Sequence, residues 1–102
     1  MPIRSTLSDD KKSLQIMISD RFDYGLHQGF RACYRDLTET GMTYVMDLSQ
    51  ATYMDSSALG MVLLLKEHAD SYGGRVVIRK PHSAVEKILR VANFDRFVTI
   101  EL

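Results

Sequence analysis

The chain of 102 residues has little that marks a specialised class, and each gap excludes something. It has a single cysteine, Cys33, so no internal disulfide framework exists, and its place in a helical apolar pattern fits a buried thiol. It has no excess of either charge: thirteen basic and thirteen acidic side chains cancel, leaving no overall field to attract nucleic acid or an anionic surface. Its longest apolar run, Ala58 to Leu65, is far below the roughly 18 residues of a membrane span, and Met1-Pro2-Ile3-Arg4-Ser5-Thr6 does not read as a signal peptide. A cytoplasmic protein is the expectation. Residues 1–102 read as one ordinary globular domain, too short to pair a cofactor domain with a substrate domain.

Motifs for catalysis are equally scarce. His27, His68 and His82 are scattered over separate elements, with no pairing at metal-ligand spacing, so no metal or cofactor is expected. No Gly-x-Ser-x-Gly elbow surrounds any serine. His68 lies about three helical turns beyond Ser56, roughly 18 Å by the rise per residue, which is out of hydrogen-bonding reach. Gly73-Gly74 leads into a strand and reads as a turn rather than a phosphate loop. Asp23 and Asp55 read as exposed or capping aspartates more readily than as an acid–base pair. Arg75, Arg79 and Lys80 form a small cluster that fits a solvated edge.

What is present is a regular alternation of elements. Ile3 to Leu7 and Ser13 to Ile18 predict two strands around a Ser8–Lys12 turn. Leu26, Phe30, Cys33 and Leu37 make one apolar stripe, predicting a helix from about Tyr24 to Glu39 that stops at Gly41. Thr43 to Leu48 reads as a strand bounded by Ser49-Gln50. A helix from about Ser57 to Ser71 follows. Its apolar run is nearly all-round: Leu59, Val62, Leu63 and Ala69 are expected to face the sheet, with Met61, Leu64 or both outside it. Arg75–Ile78 is a strand, and Ser83-Ala84-Val85-Glu86 is a capping-box pattern opening a helix that points Val85, Ile88, Leu89 and Ala92 inward. Phe97 to Ile100 closes the chain as a strand. The order β-β-α-β-α-β-α-β predicts an α/β domain with a mixed, mostly parallel sheet and about three packed helices.

The densest signal is Asp55-Ser56-Ser57-Ala58-Leu59-Gly60, where two hydroxyls sit between a carboxylate and the apolar run. At a helix start the backbone amides lack intrahelical partners, so polar side chains and anions are favoured there. The local chemistry alone admits a helix cap and nothing more, or an exposed modification site.

With these residues in place, the chain resembles the STAS domain, in particular the small stand-alone anti-sigma factor antagonists of bacteria. The resemblance rests on Asp47-Leu48-Ser49, on Tyr53-Met54-Asp55-Ser56-Ser57-Ala58-Leu59-Gly60, on Arg21-Phe22-Asp23, on Gly73-Gly74 before a strand and on Val85-Glu86-Lys87-Ile88-Leu89. It implies phosphorylation at Ser56, with Asp23, Asp55 and Ser57 as neighbours. Two positions depart from the pattern: Ala58 and Asp20 stand where many members have Gly. The resemblance implies a non-enzymatic regulator that binds an anti-sigma factor, or a serine-protein kinase with a histidine-kinase-like ATPase fold, until phosphorylation ends the association. A PP2C-type serine phosphatase would reset it. Met54, Ala58, Met61 and Leu64 are candidate partner contacts, with ordinary core as the competing reading of Met54 and Met61. An accessory STAS subunit of a membrane ABC transporter is the alternative function.

Overall fold

The computed structural model describes residues 2–102. A five-stranded sheet in the order β1-β2-β3-β4-β5 carries β1 (Ile3–Leu7) antiparallel to β2 (Ser13–Phe22), with β3 (Thr43–Met54), β4 (Arg75–Arg79) and β5 (Thr99–Glu101) each parallel to its predecessor. Three helices, α1 (His27–Tyr34), α2 (Ser56–Ser71) and α3 (Ser83–Val91), fill the crossovers. The predicted element order and α/β class are those observed. Because the strand order never reverses, right-handed crossovers place all three helices on the same face. The core lies there: Leu14, Ile16, Tyr44, Met46, Val76 and Ile78 of the sheet are buried with Phe30, Val62, Leu65, Val85 and Leu89 of the helices.

The central pair of strands runs longer than the sequence suggests. β3 does not stop at Leu48 but continues to Met54, and β2 continues to Phe22. The reason is visible in the pairing register. Between Met17↔Asp47 and Ser19↔Gln50, and again between Asp20↔Ala51 and Arg21↔Tyr53, β3 carries one extra residue. Each bulge shifts the side-chain phase by one position. The buried apolar residues of β3 therefore run Tyr44, Met46, Leu48 in steps of two, then Ala51 and Met54 in steps of three. A period-two reading loses the strand at the first bulge. Asp20 sits at the second irregularity with φ +63°, the left-handed conformation that glycine adopts freely and Asp tolerates. That accounts for Asp20 at a position where Gly is common in the resembling family.

Other boundaries also move. The first helix is shorter than its stripe: a 3-10 turn at Tyr24–Leu26 precedes α1, and the chain leaves the helix after Tyr34. The His68 ring captures the Leu37 carbonyl at 2.7 Å, so the segment after α1 is tied to α2 rather than to another helical turn. The capping box at Ser83 does not form. His82 occupies the cap position without a side-chain bond, and Glu86 accepts from Arg90 at 2.7 Å instead. A 3-10 turn at Phe94–Arg96 leaves Phe97 half exposed outside β5, so the final strand starts two residues later than expected. Gly74 is required by close approach, since a Cβ there would meet the Met42 carbonyl oxygen at 2.3 Å.

Candidate functional site

Phe22 and Met54 pair across β2 and β3, so Asp23 and Asp55 are the next residue out of each strand. Neighbouring strands lie about 4.8 Å apart, and the two chains leave the sheet side by side. The Asp55 amide donates to the Phe22 carbonyl at 3.3 Å and joins them. Each aspartate is then a cap. Asp23 Oδ1 accepts from the Gly25 amide at 3.0 Å and holds the 3-10 turn that feeds α1. Asp55 Oδ1 accepts from the Ala58 amide at 2.9 Å and opens α2. Arg21 lies 3.5 Å from Asp23 and stacks over the Tyr53 ring at 4.1 Å.

The two hydroxyls are treated differently by this geometry. Ser57 donates to Asp55 Oδ1 at 2.7 Å and is half-buried. Ser56 is exposed at the first helical position, and among the described residues no hydrogen bond engages its hydroxyl. The Ser57 hydroxyl, followed by the Ala58 amide, holds the Asp55 carboxyl below its ordinary value of 3.8, because both donors bond the charged form. Asp55 is therefore a fixed negative charge one residue from the free hydroxyl.

The apolar contacts expected around this site are rearranged. Met54, Ala58 and Met61 are buried, so they belong to the core and offer no docking surface; Leu64 alone of that group is exposed. Met61 and Leu63 exchange the places expected of them: Met61 packs inward and Leu63 is 41% exposed. The phase of α2 is set by Ala58, Val62, Leu65 and Ala69, which lie flush against the sheet. With those positions inward, Ser56, Gly60, Leu63 and Glu67 form an outward stripe at helical spacing. Leu64 leans from it toward α1, and Leu59 toward Ile88 and Val91 of α3. An all-round apolar run contains no signal that separates Met61 from Leu63, and only the docked helix does so.

The histidines stay apart. His27 stacks on Tyr24 with ring centroids 4.2 Å apart, while His68 sits among Tyr34, Tyr44 and Tyr72 as a joint between helix and sheet. No helix among the described residues is long and apolar enough to cross a membrane.

The family profile described as "Mlab, STAS domain" matches residues 5–100. A STAS-domain containing protein of Pseudomonas aeruginosa (strain UCBPP-PA14) is 43% identical over 100 residues, spanning 98% of this chain and 99% of that protein. Among solved structures, a Thermotoga maritima protein superimposes with a TM-score of 0.80 at 21% identity, covering 98% of this chain and 86% of that one. The anti-sigma factor antagonist SpoIIAA, in its unphosphorylated form, also gives 0.80, at 17% identity and covering 98% and 88%. The chain thus belongs to the STAS domain family and carries the fold of the anti-sigma factor antagonists.

Proposed function

We propose that this domain is an anti-sigma factor antagonist switched by phosphorylation of Ser56. One observation carries the reading: the Ser56 hydroxyl is exposed and unbonded at the first turn of α2, while its neighbour Ser57 is committed to Asp55. Unphosphorylated, the domain binds an anti-sigma factor or serine-protein kinase with a histidine-kinase-like ATPase fold, releasing what that partner restrains. Phosphorylation adds about −1.5 to −2 charges and three acceptor oxygens at one point. The helix N-terminus tolerates that charge within the domain, because free amides and the helix dipole favour an anion. A partner fitted to a neutral hydroxyl between Asp23 and Asp55 meets concentrated negative charge, and like-charge juxtaposition costs several kcal/mol. Switching then needs no refolding. A PP2C-type phosphatase restores the binding form, and the cycle runs in the cytoplasm. The aspartates act as caps and as local charge, so the function is regulation rather than catalysis.

The test is phosphosite mapping by mass spectrometry on protein from its native cells, with partner binding compared between Ser56→Ala and Ser56→Asp. Phosphate on Ser56, with Ala retaining and Asp losing the partner, is the expected result. Modification only elsewhere, or equal binding by both variants, overturns it. The exposed Leu63 and Leu64 also suit an accessory subunit of a membrane ABC transporter, in which the hydroxyls would serve only the interface. Co-purification with an ATPase subunit and no phosphate on Ser56 would support that alternative.

A further inference from the structure

A groove of about 330 Å³ runs between α1 and α2, lined by Arg31, Tyr34, Arg35, Leu64, Glu67 and His68. It continues past Met61 toward His27, which places its other end beside the 3-10 turn that Asp23 caps. Its floor is apolar and aromatic, since the Phe30 and Tyr34 rings meet edge-on at 5.7 Å and Tyr34 meets His68 at 5.0 Å. Leu64, 56% exposed, stands at its wall with nothing over it.

The charges along this groove are not uniform. On the α1 side, His27, Arg31 and Arg35 follow one another at four-residue intervals, so they share one rim. Among the described residues Arg31 makes no ion pair, and Arg35 has only its exposed neighbour Asp36 at 3.8 Å. Glu67 is the single carboxylate among the lining residues of the wider part. At the switch end Asp23 and Asp55 stand at the start of α1 and α2, with Arg21 3.5 Å from Asp23 offsetting part of their charge and Asp55 left without an ion pair among the described residues. Leu64 is eight residues beyond Ser56, about 12 Å along the helix.

We infer that this groove seats an amphipathic helix of the partner protein, with an aliphatic side chain against Leu64 and Tyr34 and carboxylates one turn apart facing Arg31 and Arg35. The rim polarity sets its orientation: the acidic part of that helix lies over the arginines and the basic part points to Asp23 and Asp55. The inference names the partner surface for the switch proposed above and rests on that reading for the existence of a protein partner. It adds contact energy away from the hydroxyl, so that affinity and phosphorylation control are divided between two ends of one surface.

The test uses two synthetic helical peptides with the same leucine stripe, one flanked by Glu and one by Lys, titrated into the full chain by fluorescence anisotropy and mapped by backbone amide shifts. The Glu peptide should bind about fivefold tighter, as expected for two exposed charge pairs, with shifts centred on Arg31, Tyr34, Leu64 and His68. The double substitution Arg31→Glu with Arg35→Glu should invert the preference, and Leu64→Ala should weaken both peptides. Unchanged thermal unfolding of the arginine variant would show that its fold is intact. Equal binding of the two peptides, no binding of either, a preference that survives the charge reversal, or shifts centred on Leu59, Ile88 and Val91 would each overturn the proposal. Phosphorylation of Ser56 is read separately by mass spectrometry, so a failed groove leaves the switch standing and a failed switch is recognised independently.

Discussion

The first turn of α2 and its middle turns belong to one helix but are held by different forces. In the middle, Val62, Leu65 and Ala69 are fully buried, and packing against the sheet decides the helix position. In the first turn only Ala58 packs inward; hydrogen bonds to Asp55 organise Ser57 and the Ala58 amide, and the Ser56 side chain stays exposed. Only a residue outside the packed region can accept a bulky dianion without disturbing the fold. The difference shows how a small domain keeps an exposed hydroxyl on an element essential to its core.

This contrast is open to direct measurement. Leu65→Ala should be the most damaging change, costing about 2–5 kcal/mol in chemical denaturation, because it leaves a cavity at a fully buried site. Asp55→Ala should cost about 1 kcal/mol, the usual worth of a helix cap. An effect as large as that of Leu65→Ala would show that the cap holds this helix as strongly as core packing does. The pH dependence sharpens the point. Since the folded Asp55 carboxyl titrates below its ordinary 3.8, its contribution is present above that pH and is lost as pH falls through the folded value. Asp55→Asn should keep the cap but flatten that part of the acid limb in a stability–pH profile. The smallest effect is expected for Ser56→Ala, within about 0.5 kcal/mol of the parent in the same denaturation experiment.

Much of the architecture was legible because periodicity and turn chemistry agree. The alternation in β2, the Ser8–Lys12 hairpin turn, the Gly73-Gly74 stop and the amphipathic α3 each point to the element that forms. The candidate site was legible only as a helix start, through Asp55-Ser56-Ser57, whose residue types suit one. Legibility failed where a local pattern was broken by a neighbour. The bulges of β3 hide six residues of strand beyond Leu48, and they are visible only in the register against β2. Pairing with Arg90 takes Glu86 out of its anticipated cap.

Composition, element order and the identity of the residues around Ser56 were set by the chain itself, since helix and strand periods and capping preferences are local properties. Which of the two hydroxyls is free, which apolar side chains of α2 face outward and how Asp23 comes beside Asp55 were decided only on folding. Those outcomes depend on one helix docking in one rotation against a sheet whose central strand is bulged, and no stretch of sequence carries that rotation alone.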